Sequence, residues 1–185
     1  MNSSAATPTN LGRLDWQPVQ TVPDLVAEPV AAGLTRAGID QVFATAIDPN
    51  LADTAEFCDA YGSPLDRSAN CVIVTGRRGE VTSTAACLVL ATDRADVNKR
   101  VRKHLGVRKL SFAPMDDAVS RSGMQYGGIT PIGLPDDWPI LVDTTVTERD
   151  WIVIGSGRRD SKLALPGALA ASLPGAEVFD LVVRR

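Results

Sequence analysis

The chain reads as an α+β protein, its sheet mixed, mostly antiparallel and flanked by short helices. Three features predict this. Two β-rich runs, residues 71–75 and 81–91, are separated by Gly76-Arg-Arg-Gly79 and read as a hairpin. Short helices, each stopped by a glycine, are scattered among the strands and do not alternate with them in the regular way of a doubly wound sheet. Three further short apolar runs follow late in the chain, at 139–143, 151–155 and 162–165.

The elements follow in order. Pro29 opens a helix carrying Val30, Leu34 and Ala37, and Gly38 closes it. Residues 41–47 alternate as a strand. Asp53 followed by Glu56 is a capping-box pattern for a helix that runs to Tyr61, with Gly62 as its stop. After the hairpin, Val97, Val101 and Leu105 form an apolar stripe at a spacing of four, ended by Gly106. A strand at 107–112 comes next. Pro114 then starts a helix with Met115, Ala118 and Val119 inward and Gly123 as its stop.

With 185 residues, 44% hydrophobic and 22% charged, the chain can bury one core, and no repeat or linker divides it. We expect a loose N-terminal tail over 1–20 and one domain over 21–185. The first ten residues have neither a basic start nor an apolar stretch, and the longest apolar runs are strand-sized, so a soluble, cytoplasmic protein without a membrane partner is expected. Cys58, Cys71 and Cys87 are odd in number with no close pair, which suits buried thiols in a reducing compartment. His104 has no second histidine with which to share a metal. No GxGxxG element, P-loop or nucleophile elbow is present. Neither a metal nor an organic cofactor is expected.

The net charge of −3 gives no global signal for nucleic acid. Residues 94–109 nevertheless hold seven basic residues against one acidic, a local charge of +6. Lys99, Arg100 and Lys103 lie on the side of the helix away from the apolar stripe, where they are either phosphate contacts or a solvated face.

The stretch Tyr126-Gly-Gly-Ile-Thr-Pro-Ile-Gly-Leu134 is the richest in chemistry. Gly127 and Gly128 free the backbone to take positive φ and to bring amide N–H groups close to a ligand. Pro131 stiffens the turn and drives Thr130 towards an extended conformation. The residues fit an ordinary turn as well as a loop that grips a carbonyl oxygen or phosphate.

The basic helix, the strand after it, the helix from Pro114 to Gly123, Gly127-Gly-Ile-Thr-Pro131, Ile140-Leu-Val-Asp143 and Ile154-Gly-Ser-Gly157 together resemble the YbaK/EbsC family over residues 31–173. That family shares its fold with the editing domain inserted in bacterial prolyl-tRNA synthetases. The resemblance implies a barrel-like sheet and trans-acting hydrolysis of the ester of a mischarged aminoacyl-tRNA, with an aminoacyl-tRNA synthetase as a second candidate partner and no role for DNA. It implies that the Gly127 to Pro131 loop holds the substrate carbonyl with backbone amides, and that a hydroxyl of the terminal ribose helps organise the attacking water. An aminoacyl ester is already activated, so positioning and amide donors can suffice without a protein nucleophile.

Two departures from the family pattern stand out. Asn70 occupies the place of a lysine found in many members, and Lys162 occupies a segment where some relatives carry an aspartate, a place also open to Arg158 or Arg159. The expectation is a cation moved from one strand to another: Lys162 faces the terminal phosphate or ribose, while Asn70 supplies a neutral hydrogen bond. The alternative is a non-catalytic module that binds tRNA or a synthetase and has lost turnover with the lysine. Asp143 is either a turn cap or a pocket-edge residue. Ser156, Gly157 and Arg158 lead into the same pocket segment and count as substrate-side candidates.

Overall fold

Glycine ends three of the helices where the sequence places the stops. In the computed structural model, which describes residues 7–183, Gly38, Gly62 and Gly123 take φ of 65°, 67° and 68°, a left-handed conformation that costs a residue with a Cβ. The helices are α1 (Glu28–Ala37), α2 (Thr54–Tyr61), α3 (Arg102–His104), α4 (Met115–Ser122) and α5 (Thr144–Thr147). A π-helical turn, Val97–Val101, leads into α3, with the Val101 amide bonded back five residues to the Asp96 carbonyl. The Asp96 side chain caps this turn by accepting from the Lys99 amide at 3.0 Å.

Nine strands form two sheets among the described residues. β1 (Gln17–Pro18), β2 (Phe43–Ala46), β7 (Ile152–Gly155) and β8 (Ser161–Leu165) make one sheet, ordered β1-β2-β8-β7 and wholly antiparallel. The other holds β3 (Ala69–Arg78), β4 (Val81–Leu90), β5 (Lys109–Phe112), β6 (Ile140–Asp143) and β9 (Ala176–Phe179), ordered β5-β3-β4-β6-β9. Its β4–β6 and β6–β9 pairs are parallel and the rest antiparallel. The fold is therefore the α+β, mixed and mostly antiparallel class that the sequence predicts. The two sheets stay open and do not close into a barrel.

Alternation along β3 explains the layering. Ala69, Cys71 and Ile73 face a core shared with Ala86, Leu88, Ile140, Ile152, Ile154, Leu163 and Leu165, so this apolar layer joins the two sheets. Val72 and Val74 face the opposite side, where Val97, Val101, Leu181 and Val182 cover the second sheet. The outer face of the first sheet is covered by Phe57 and Cys58 of α2 together with Leu11.

Four local expectations change. The hairpin turn is only Gly79-Glu80, since Arg78 pairs with Val81 and Gly76 lies within β3. The expected tail over 1–20 is ordered in its second half: Leu11 and Val19 are buried and residues 17–18 pair with β2, while residues 1–6 lie outside the described part. Asp53 does cap α2 by backbone conformation, yet its side chain makes no capping bond. Met115 is exposed, so its helix turns Ala118 inward and leaves Met115 at the surface.

Candidate functional site

The glycine loop is held from behind by backbone. The Gly128 amide donates to the Gln125 carbonyl at 2.9 Å, closing a tight turn in which Gly127 has φ of 78°. The Gly128 carbonyl accepts from the Gly157 amide at 2.7 Å, and the Gly157 carbonyl accepts from the Gln125 amide at 2.9 Å. A Cβ on Gly128 would strike the Arg158 carbonyl, and one on Gly155 would strike the Gly128 carbonyl. Glycine is needed at both places because two backbones touch there.

This arrangement changes the expected donor set. Gly128 spends its amide inside the turn, whereas the amides of Gly127 and Ile129 make no hydrogen bond among the described residues, and both residues line a cavity of about 490 Å³. Thr130 and Pro131 are buried and do not line that cavity. Pro131 instead lies beside the turn at Gly133, which packs against Gly33 of α1.

Asn70 and Lys162, 92 positions apart in sequence, line this same cavity. β3 carries Asn70 at its start, and β8 carries Lys162 between Thr45 of β2 and Gly155 of β7. Lys162 is only 7% exposed, and its Nζ donates to the Ala52 carbonyl at 2.7 Å and stands 5.3 Å from the Phe57 ring centre. Burial lowers its pKa from the usual lysine value to about 8, opposed by the carboxylate of Asp53. Near neutral pH it keeps its charge and has two N–H donors left over. The Asn70 Oδ1 accepts from the Thr54 hydroxyl at 2.6 Å, and its side-chain NH2 keeps both N–H donors free of a partner among the described residues.

Sequence reasoning missed other parts of the wall. Asp53 and Thr54, at the start of α2, line the cavity with Asn70 and Lys162. Arg159, named with Arg158 as an alternative for the place of Lys162, does not line the cavity; it reaches over Tyr126, with its Nη1 3.4 Å from an Asp53 oxygen, and so ties α2 to the glycine loop. The apolar part is made by Cys71, Ile73, Ala113, Met115, Ala118 and Ile129. Cys71 is not a ready nucleophile, because burial and the neighbouring Cys87 push its thiol far above the usual range.

The other expected site residues lie elsewhere. Asp143 is fully buried and accepts from the Thr145 amide and hydroxyl and from the Leu181 amide, so it is the turn cap of the two alternatives. Gly157 braces the loop from outside the cavity through its backbone, while Ser156, also outside, ties its own turn to β8 through a 2.7 Å contact with the Ser161 hydroxyl. Arg158 forms a two-pronged pair with Asp160. Lys99, Arg100 and Lys103 do not line the cavity, and Arg100 pairs with Asp180. His104 stacks on Phe179 and bonds Glu177 at 2.7 Å. Among the described residues no group of three His, Cys, Asp or Glu side chains is placed to hold a metal ion, and no helix is long and apolar enough to cross a membrane.

The structure is thus an α+β domain of two open sheets whose main candidate site is a cavity lined by the glycine turn and a buried lysine. The comparisons narrow that class. Residues 48–171 match the aminoacyl-tRNA editing domain, and the chain belongs to that family. A proline–tRNA ligase of Albidiferax ferrireducens is 26% identical over 132 residues, covering 68% of this chain but only 23% of the ligase. This chain thus spans about a quarter of that relative's length. In solved structures, the fold matches a candidate trans-editing enzyme for prolyl tRNA synthetase with a TM-score of 0.72 at 19% identity, covering 84% of this chain and 96% of the other. It also matches the hypothetical protein APE2540, with a TM-score of 0.73 at 20% identity, covering 84% and 100%.

Proposed function

We propose that the protein is a cytoplasmic aminoacyl-tRNA deacylase that hydrolyses the ester of a mischarged tRNA without a metal or organic cofactor. The observation that carries this reading is the meeting, in one cavity, of two unspent loop amides with the donors of Asn70 and Lys162.

The acyl carbonyl sits at the glycine turn, where the Gly127 and Ile129 amides stabilise the oxyanion that forms as water adds to the carbonyl carbon. Donors of this kind are worth about 10²–10³ in rate each, because they are fixed before the charge develops. The ester C–O bond then breaks, the ribose oxygen leaves and takes up a proton, and free amino acid and tRNA result. Lys162 and Asn70 hold the ribose-phosphate end, and the apolar wall receives the amino-acid side chain. Gly128, Thr130 and Pro131 position the loop and do not touch the ester. Ser156, Gly157 and Arg158 support it from behind, and Asp143 serves the fold.

Release of labelled amino acid from a panel of mischarged tRNAs tests this reading. Turnover on at least one member is expected. Salt-sensitive tRNA binding with no ester cleaved across the panel would favour a non-catalytic binding module instead.

A further inference from the structure

Three hollows run side by side along β5, and we propose that together they form a track for the unpaired 3′ end of an RNA. The first is the cavity described above. Phe112, 66% exposed, lines both that cavity and a second hollow of about 1090 Å³. Asn98, Leu110 and Ser111 in turn line both the second hollow and a third of about 700 Å³. β5 is an outer strand of its sheet, so this succession is open along its length.

The third hollow is strongly cationic. Arg77, Arg102, Arg108 and Lys109 line it and no carboxylate does. Elsewhere Arg36, Arg100, Arg121, Arg158 and Arg159 each pair with an aspartate, whereas none of these four cations has an ion-pair partner among the described residues. Arg77 and Lys109 are direct cross-strand neighbours, a like-charge pairing that disfavours the sheet unless an anion screens it. The main chain reinforces the cluster: the Arg108 amide bonds the Arg77 carbonyl at 3.1 Å, and Arg102 donates to the Arg108 carbonyl. Such a site fits a polyanion.

The middle hollow has another character. Its lining includes Arg94 with Asp93 and Asp96, so it carries no excess of positive charge, and Phe112 offers an exposed ring at its boundary with the cavity. A splayed base stacks on that ring, which leaves the acyl end in the first cavity and the preceding phosphates on the four cations. The track rests on the deacylase reading for its direction, yet its chemistry requires only a nucleic-acid chain end.

The test is binding of uncharged tRNA, followed by fluorescence anisotropy at several salt concentrations. It compares wild type with the Arg77→Gln, Arg102→Gln, Arg108→Gln, Lys109→Gln variant, and with Arg36→Gln as a single-charge control. Each phosphate that is no longer neutralised lowers the slope of log affinity against log salt by about 0.7, so the fourfold variant loses about 3 while the control stays near wild type. The four side chains are exposed, and a thermal melt checks that the variant folds. Wild-type slope and affinity in a folded variant would overturn the track and leave an acidic protein surface as the other occupant. Because uncharged tRNA has no ester, the track and the deacylase stand or fall separately: loss of slope supports the track even if no panel member is cleaved, and normal slope alongside normal cleavage sinks the track alone.

Discussion

The two walls of the cavity are built on different principles. The glycine wall is made of backbone: Gly128 and Gly155 lie against each other and against residue 158 so closely that a methyl group cannot enter. The other wall is made of side chains, with Asn70 and Lys162 carried by β3 and β8, Lys162 directly beside Gly155 across the β7–β8 pair. A backbone wall tolerates no substitution, whereas a side-chain wall can move its chemistry from a strand of one sheet to a strand of the other and keep the same point of contact.

The largest expected effect therefore belongs to Gly128→Ala. Its methyl must displace the 158 carbonyl and break the loop, which costs about 3 kcal/mol of stability. Deacylation is expected to fall by more than about 100-fold, even at a temperature where a melt shows the variant folded. Normal kcat/KM in Gly128→Ala would show that the backbone wall is not the reacting side.

Lys162→Met comes next, and it should separate activity from stability. The lysine is buried with a pKa of about 8 against an ordinary 10.5, so its charge opposes folding by about 3 kcal/mol near neutral pH. The sign follows from linkage: the folded state holds the proton less tightly, so this penalty is full below about pH 8 and is relieved as pH rises towards 10.5. Methionine removes the penalty but leaves the Ala52 carbonyl without its donor, so a net gain of about 1–2 kcal/mol is expected by denaturant titration. Activity should drop by about 100-fold, the worth of a charged hydrogen bond. A destabilised variant of full activity would assign Lys162 to structure alone.

The side-chain wall can also be swapped. Adding Asn70→Lys to Lys162→Met puts the cation back on β3, and about a tenth or more of wild-type kcat/KM is expected to return. No recovery would mean that the two positions do not serve one contact. In the wild type, kcat/KM corrected for spontaneous ester hydrolysis should fall as pH passes about 8 and Lys162 loses its proton. The same profile in Lys162→Met should be flat there. The smallest effect is expected for Asp53→Asn, which weakens a 3.4 Å contact between half-exposed partners and should change kcat/KM by only about twofold.

Legibility divides along the same line as the walls. Local backbone demands are written locally, so the stops at Gly38, Gly62 and Gly123, the β3–β4 hairpin and the glycine turn could be read from short stretches. Long-range partnerships are not. β9 carries no alternating burial, and only its parallel pairing with β6 makes it a strand. The Asp53–Arg159 contact joins residues 106 apart, so a local rule assigned Asp53 to a capping box and missed its partner. The basic segment was visible as composition, but which cations gather depended on β5 lying beside β3, which brings Arg77 to Lys109 and leaves Lys99 and Lys103 outside the hollow. That Asn70 and Lys162 share a cavity followed from family resemblance and could not have come from spacing.

Single-turnover deacylation of the mischarged tRNA that the panel identifies, compared between wild type and Lys162→Met at pH 7 with tRNA affinity measured alongside, tests the central claim most directly. The account predicts a loss of about 100-fold in the cleavage rate by a variant that is folded and more stable than wild type. Equal cleavage rates in the two proteins would contradict it.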